Sequence, residues 1–209
     1  MKRFICFLLT LSCLVCTALT VPVSAESPSA VSGAEFTDLG IPTEKHFPNS
    51  GNYVYARTVW GMEVFNGKLY IGCGDYDKNA GSNSSYRYMP LFAYGLKTGD
   101  WQLEAKLDDE QLTRFFKANN TLYIAGTDPI SGRDGHIYYY VPERDIWRTA
   151  VQPGGAAHIF DLLFTENDMT VYAGVGLWEG DAPRVPISKN GGKTFPAANN
   201  AYWFLILSS

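Results

Sequence analysis

Three residues with different chemistry precede three similar turns at one fixed spacing. Arg57, Glu110 and His158 each lie nine residues before an asparagine that begins a turn. A guanidinium, a carboxylate and an imidazole at one register of a repeated structure would converge on a polar ligand. The alternative is that they are solvated side chains at strand ends, or that the register is shifted by one residue. We predict a ligand-binding site of Arg57, Glu110, Arg114, His158 and Asp161, and we assign no catalytic residue.

A polar stretch after the first hairpin of the first repeat is the one weak candidate for a cation site. Asp75 and Asp77 place oxygen-bearing side chains at alternate positions, as the start of a calcium loop does. Ala80 and Tyr86 stand where an EF-hand requires glycine and glutamate. The sequence therefore favours an ordinary polar loop between two strands, with residues 126–129 as the corresponding loop of the next repeat. The three histidines are scattered and Cys73 is the single cysteine after residues 1–25, so we expect no other metal and no cofactor.

Two kinds of hairpin recur along the chain. The first kind has an apolar strand, a turn that begins with asparagine, and a second strand; its turns are Asn66-Gly67, Asn119-Asn120 and Asn167-Asp168. These residue pairs tolerate the positive φ angles of a type I′ turn. The second kind places two residues seven apart around a polar turn; the pairs are Tyr94 and Trp101, Tyr140 and Trp147, and Ser188 and Phe195.

Two hairpins in each repeat of roughly 50 residues make four antiparallel strands, which is the blade of a β-propeller. The 14% aromatic content and the 20 glycines also favour an all-β fold with tight turns. We predict about three blades and the start of a fourth, at 57–107, 110–151, 158–198 and 201–207.

The third copy of the second hairpin carries the most recognisable motif. Residues 188–195, Ser-Lys-Asn-Gly-Gly-Lys-Thr-Phe, resemble the Asp-box (BNR) motif, with asparagine where aspartate is usual. The chain is thus similar to Asp-box and kelch-like propellers. The resemblance implies a structural turn in which the amide caps backbone N–H groups, a glycine takes an unusual φ and the aromatic packs between sheets. The residues that match are Ser188, Asn190, Gly192, Thr194 and Phe195.

The two ends of the repeat region pose a problem of ring closure. Within an N-terminal segment, 26–52, residues 36–41 could form an outer strand that closes the ring, and 201–207 read as the inner strand of a further blade. Propellers generally have four to eight blades. We therefore predict a truncated member with an incomplete ring, whose open faces invite missing blades or self-association.

The first 25 residues have the parts of an export signal. Lys2 and Arg3 supply a basic start, an apolar run follows, and Val23-Ser24-Ala25 suits signal peptidase. Removing residues 1–25 would leave Cys73 as the single cysteine, which excludes an intrachain disulfide. The net charge of −4 argues against a nucleic-acid partner. We expect a secreted or periplasmic protein whose partner is a glycan or a protein, without a membrane anchor after cleavage.

Sialidases are Asp-box propellers, so the resemblance implies one enzymatic alternative, an exo-sialidase-like glycoside hydrolase. Arg184-Val185-Pro186 looks like the Arg-Ile-Pro motif of that family, but it lies only four residues before Ser188 and reads as an ordinary third strand. The leading hypothesis is a recognition module in which aromatic side chains stack on sugars; the candidates are Tyr76, Tyr86, Tyr88, Trp101 and Trp178. A second alternative is a fragment without independent function.

Overall fold

The computed structural model describes residues 35–40, 42–46, 56, 58–74, 88–132, 134–150, 154–165, 167, 169–177 and 184–195. Within them lie one short helix, α1 (Pro42–His46), and a single 3-10 turn at Pro142–Arg144. The strands are β1 (Thr58–Phe65), β2 (Lys68–Gly74), β3 (Met89–Gly95), β4 (Trp101–Leu107), β5 (Asp109–Ala118), β6 (Thr121–Pro129), β7 (Ile137–Val141), β8 (Ile146–Thr149), β9 (Ala156–Phe164), β10 (Val171–Leu177) and β11 (Ile187–Ser188). None of the helical residues described here forms a helix long and apolar enough to cross a membrane. The chain divides into two units, 1–39 and 40–209, and every strand belongs to the second.

The strands form three antiparallel meanders, which we call the first blade (β1–β4), the second blade (β5–β8) and the third blade (β9–β11). The first two asparagine turns are confirmed as two-residue hairpins, since Phe65 pairs with Lys68 and Ala118 pairs with Thr121. Both residues of each turn have positive φ, for example 46° at Asn66. That backbone is the one a type I′ turn requires.

In the second kind of hairpin, the two residues that stand seven positions apart in the sequence pair across the turn. Tyr94 lies directly across from Trp101, with ring centroids 5.2 Å apart, and Tyr140 lies across from Trp147. In the second blade the turn is the 3-10 segment that ends at Asp145, whose φ is 51°. The predicted four-stranded blade is therefore present twice, and the third blade has the same order in its described strands.

The third asparagine turn differs from the prediction. Phe164 pairs with Val171, and the Thr165 N–H donates to the Thr170 carbonyl at 3.0 Å, so the connection is longer than two residues. The Asn167 side chain stabilises this loop by accepting from the Met169 N–H at 3.3 Å and from the Thr165 hydroxyl at 2.7 Å. The expected Asn167-Asp168 type I′ turn is wrong, because an asparagine that bonds to neighbouring backbone also favours longer loops.

Neighbouring blades are joined in the same way at both junctions. Gly74 of β2 pairs with Gln111 of β5, and Thr127 of β6 pairs with His158 of β9. Each of these pairs is antiparallel, so β1, β5 and β9 run parallel to one another, and β1 and β9 both contact β5. They are the innermost strands of successive blades and line a channel. The architecture is an open β-propeller of three blades, as the sequence predicted.

The blades approach each other closely through glycine. A Cβ at Gly72 would overlap the carbonyl oxygen of Leu112 in the next blade, and one at Gly61 would lie 2.9 Å from the carbonyl oxygen of Thr113. At the second junction, a Cβ at Gly135 would lie 2.5 Å from the carbonyl oxygen of Ala157. Real side-chain carbons do not come so near to backbone oxygen, so the first blade packs on the second, and the second on the third, with their backbones in contact.

Two apolar clusters fill the spaces beside the blades. One holds residues of the first blade with Leu112, Leu122 and Tyr138 of the second, and the other joins the second blade to the third. Trp147 packs its ring edge-on against Tyr70 at 5.9 Å. Phe195 is buried in the other cluster. These aromatics fill the gap between sheets that widens toward the outer strands, as the repeat predicted.

Some other predictions from the sequence are corrected by the structure, and others stay untested. Residues 35–40 carry no regular secondary structure, so the ring-closing strand at 36–41 is wrong. Residues 126–129 are not a loop, since β6 extends to Pro129. Cys73 is a buried free thiol in β2, and burial raises its pKa to about 12. The signal at 1–25 and the fourth-blade strand at 201–207 lie outside the described residues.

Candidate functional site

Each innermost strand contains a β-bulge at the same place. The register shifts between Val59 and Gly61 in β1 and between Leu112 and Arg114 in β5, and it shifts again in β9. The extra residues are Trp60, Thr113 and Phe160. A bulge redirects one side chain out of the regular alternation, and bulges are frequent beside binding sites.

The bulges direct two aromatic rings over glycines of the adjacent strand. The position that a Cβ of Gly74 would take is filled by the indole of Trp60, and a Cβ on Gly176 would lie 2.7 Å from the Phe160 ring. Both rings remain partly exposed, 38% for Trp60 and 55% for Phe160. The glycines thus permit flat aromatic surfaces at one end of the channel.

The predicted row of Arg57, Glu110 and His158 is wrong by one residue in the third blade. Aligned by the bulges, His158 corresponds to Gln111, and the residue that corresponds to Glu110 is Ala157. The longer third loop displaces Asn167 by one position, which shifts the count. A shift of one residue turns a side chain to the other face of a strand. Glu110 is buried, as are the residues on either side of it, and Arg57 lies outside the described residues.

His158 is held by a partner that sequence reasoning missed. Its Nε2 lies 2.5 Å from Oδ1 of Asp128 in the second blade, and both side chains are partly exposed. Asp128 reaches across the junction because its φ is 55°, which turns it out of the strand alternation. Beside them, the hydroxyl of Thr127 is buried and has no hydrogen-bond partner. A buried unpaired hydroxyl marks a place that an internal water would complete.

The structure also brings together two predicted site residues, Arg114 and Asp161. They hold the same place in the second and third blades, and Nη1 of Arg114 lies 3.3 Å from Oδ2 of Asp161. The guanidinium stands 5.6 Å from the ring of Phe116. Both charged side chains are more than half exposed, so their mutual attraction is weak and either can be recruited by a ligand.

We name the group of Trp60, Thr127, Asp128, His158 and Phe160 the channel-mouth site. Three pairings place its members at the same end of the strands, because Thr58, Gln111 and His158 occupy one register position in β1, β5 and β9. The site combines two aromatic faces with an imidazole, a carboxylate and an unpaired hydroxyl. Such a set recognises a ligand that has both flat apolar surfaces and hydroxyl groups.

A second polar cluster is buried at the start of β5. The carboxylate of Asp109 accepts from the His136 N–H at 3.3 Å, contacts its imidazole Nδ1 at 2.9 Å and accepts from the Tyr138 hydroxyl. The neighbouring Asp108 accepts from the backbone N–H and the hydroxyl of Ser131. These bonds fix the segment between β6 and β7, so the cluster is structural. The adjacent acidic pair at a strand start was its sequence signal.

The buried pair makes stability depend on pH. Burial tends to lower the pKa of His136, but the hydrogen bond to Asp109 and the negative charges of Asp109, Asp108 and Asp134 together outweigh burial, so the pKa is raised from 6.5. Burial also raises the pKa of Asp109. The folded state therefore binds protons more tightly than the unfolded chain, and stability declines as pH rises through the raised pKa of His136.

We expect the free energy of unfolding to fall as pH rises above 6.5 and through the raised pKa of His136, and His136→Gln to remove most of that decline, because glutamine does not titrate. Urea denaturation at several pH values measures both slopes. Lys189→Gln, an exposed position with a similar change, should leave the wild-type slope intact. Parallel slopes for the wild type and His136→Gln would contradict the assignment.

The turn that resembles the Asp-box has the hydrogen bonds of a structural turn. Ser188 Oγ accepts from the Gly192 N–H at 3.0 Å, and Asn190 Oδ1 accepts from the Thr194 N–H at 3.0 Å. Gly192 has a φ of 79°, and Phe195 is buried. The residues thus do what such a turn requires, while membership of the Asp-box family stays a prediction.

Other candidates from the sequence receive no support as ligand contacts. Asp75, Asp77, Tyr76, Tyr86 and Trp178 lie outside the described residues. Trp101 packs on Tyr94, and the amine of Lys106 covers the ring of Tyr88 at 4.7 Å. Within the part of the chain that the structure describes, no three His, Cys, Asp or Glu side chains group to hold a metal ion.

A groove opens at the opposite end of the channel strands, between the second and third blades. It is lined by turn residues, among them Asn120, Tyr139, Glu143, Met169 and Lys193. Asn190 of the predicted Asp-box turn lines it, whereas none of the predicted ligand-binding residues does. The groove therefore provides positions at which a substitution should leave the channel-mouth site unchanged.

Comparisons with known proteins find similar structures but assign the chain to no family. No family model matches the chain, and no curated protein matches it. Among solved structures, the computationally designed protein Ika8 has a TM-score of 0.41 and 13% identity, over 66% of this chain and 35% of that one. The designed protein Ika4 has a TM-score of 0.40 and 12% identity, over 69% of this chain and 74% of that one.

A third similar structure is the GH93 α-L-arabinofuranosidase of Fusarium graminearum in complex with arabinobiose, with a TM-score of 0.46 and 10% identity. The match covers 69% of this chain and 48% of that enzyme. The chain thus spans about a third of Ika8 and half of the arabinofuranosidase. The propeller assignment rests on the strand pairing of the chain itself.

Proposed function

We propose that the protein is an extracellular recognition module that binds a glycan at the channel-mouth site. The observation that carries the proposal is the pair of bulge aromatics, Trp60 and Phe160, which present rings on the innermost strands rather than to the core. Sugar rings have apolar C–H faces that stack on such rings, with hydroxyl groups at their edges. An aromatic that serves packing alone would be buried between blades, as Phe195 is.

The polar members of the site complement the hydroxyl groups of a sugar. The imidazole of His158 and the carboxylate of Asp128 supply a donor and acceptors, and they already orient each other at 2.5 Å. The Thr127 hydroxyl adds a group whose hydrogen bonding is incomplete. Preorganised polar groups beside a flat apolar surface reduce the entropy that binding costs.

The test is a glycan array followed by calorimetric titration with the best ligand. We expect Trp60→Ala and Phe160→Ala each to weaken binding at least about tenfold, which corresponds to ~1.4 kcal/mol. Lys193→Ala, in the groove at the opposite end, is the control and should leave affinity unchanged. No ligand above background, or a ligand whose affinity ignores both aromatics, would remove the proposal.

The glycoside hydrolase is the alternative, and the exposed Asp161 carboxylate beside Arg114 is the observation that favours it. A hydrolase needs an accessible carboxyl group at the scissile bond, whereas a recognition module does not. Turnover of a fluorogenic sialoside that Asp161→Asn abolishes would decide for the enzyme. Binding without turnover decides for the recognition module, and neither binding nor turnover decides for a fragment without independent function.

A further inference from the structure

The inner strand of the first blade exposes the residues that its counterparts bury. Val59 corresponds to Leu112 and Ile159, which are both 0% exposed, yet Val59 is 51% exposed. Met62 is 65% exposed, while Leu162 at the same position in the third blade is 5% exposed. Leu112 and Leu162 pack against the preceding blade. We call Val59, Met62 and Val64 the first-blade face; it has the composition of a blade interface and lacks the preceding blade.

The third blade exposes the opposite half of the same interface. Leu163, Tyr172 and Ile187 form one row across it, and Val185 adjoins them. Leu163 is 66% and Val185 is 62% exposed. We call these four residues the third-blade face. The corresponding residues of the second blade pack into the cluster that joins it to the third blade: Phe116, Tyr123, Ile137 and Tyr139.

One pair of positions shows that the two faces match each other. At the junction of the first and second blades, these two positions are occupied by Glu63 and Lys117, whose charged groups are 2.8 Å apart. At the second junction the same two positions hold Phe116 and Phe164, both packed in the apolar cluster. The position of Glu63 is taken by Leu163 in the third blade, and that of Lys117 is taken by Val64 in the first. The two existing pairs are compatible in charge or in polarity. Leu163 and Val64 are compatible as well, because both are apolar.

We propose that two copies of the chain associate head to tail, with the first-blade face of each against the third-blade face of the other. Each contact repeats the junction that the chain already makes twice. An interface between two different faces closes into a ring when its rotation allows. Two copies of three blades make six, within the range of closed propellers. The occupant of each open face is thus a second copy.

The row of side chains that begins at Met62 continues through Ile71 and Phe92, which are already buried at 4% and 0% exposure. Helix α1 covers the outer part of this row. Its His46 ring packs at 5.2 Å from Phe92 of β3, and the helix contacts β4. A second copy would therefore meet β1, whose residues on this face stay exposed. The inner half of the first-blade face is therefore available to another copy.

The test is the mass of the full chain in solution by light scattering, with variants at the matched pair. We expect twice the mass of one chain for the wild type, and one chain for Leu163→Glu and for Val64→Lys. The double variant L163E/V64K should recover the dimer, because it recreates at both contacts the arrangement of Glu63 and Lys117. Leu96→Glu, an exposed turn position outside both faces, is the control and should remain dimeric. Circular dichroism verifies that each variant is folded.

Three results would overturn the proposal. The wild type at the mass of one chain throughout the micromolar range would mean that the faces are covered in another way. Masses that grow continuously with concentration would mean an open filament instead of a closed pair. A folded double variant that stays at one chain would mean that Leu163 and Val64 do not meet.

Discussion

Gly72→Ala is expected to lower the free energy of unfolding by at least about 3 kcal/mol, or to prevent folding. A Cβ at this position would overlap the carbonyl oxygen of Leu112 and lie 3.2 Å from its carbonyl carbon. These atoms belong to the backbone of the second blade, so no side-chain rotation relieves the overlap. The variant therefore forces the first two blades apart and opens the cluster between them.

Gly174→Ala is the matched control, since Gly174 holds the corresponding position in the third blade. The nearest atom to its added Cβ is the Cβ of Asp161 at 3.6 Å, which is ordinary contact. We expect a change of less than about 1 kcal/mol. Urea denaturation followed by tryptophan fluorescence measures both variants. Equal losses would mean that Gly72 is needed for strand conformation and not for the approach of blades.

Phe195→Ala is expected to cost about 3–5 kcal/mol, because it leaves a cavity in a packed cluster. The ring is 4% exposed and belongs to the cluster that joins the second and third blades. Phe160→Ala, which removes the same ring from an exposed bulge, should cost less than about 1 kcal/mol. The same denaturation experiment compares them. Similar losses for the two variants would contradict the distinction between aromatics that pack blades and aromatics that face a ligand.

The strand pattern was predictable because its determinants are local. Asn66-Gly67 and Asn119-Asn120 permit the positive φ that a two-residue hairpin needs, whatever the rest of the chain does. Tyr94 and Trp101 are partners across one short turn, so their spacing alone indicates pairing. Because these local signals recur along the chain, they predict four-stranded blades, and the succession of blades predicts a propeller.

The register of the third blade was not predictable from the same signals. Asn167 occurs in a longer loop, and nothing in its neighbours distinguishes that loop from a tight turn. The bulges at Trp60 and Phe160 each shift the alternation by one residue, but the sequence does not show which residue is the extra one. A count from the turn therefore placed His158 opposite the wrong residue.

The contacts of the site depend on long-range geometry. Asp128 reaches His158 only because its backbone is left-handed and the two blades adjoin. Asp109 appears in the sequence as a solvated residue at a strand start, but the fold buries it against His136 and Tyr138. Sequence reasoning named Arg114 and Asp161 as ligand-binding candidates, but their pairing needs the junction between blades, which no local pattern predicts.

The central claim is that the hairpins stack as blades around a channel, and NMR measures it most directly. In isotope-labelled protein we predict nuclear Overhauser contacts between the backbones of Gly74 and Gln111, and between those of Thr127 and His158, since these pairs join successive blades. The hairpin contacts of β1 with β2 and of β5 with β6 serve as internal controls. Strong hairpin contacts without either junction contact would contradict the propeller.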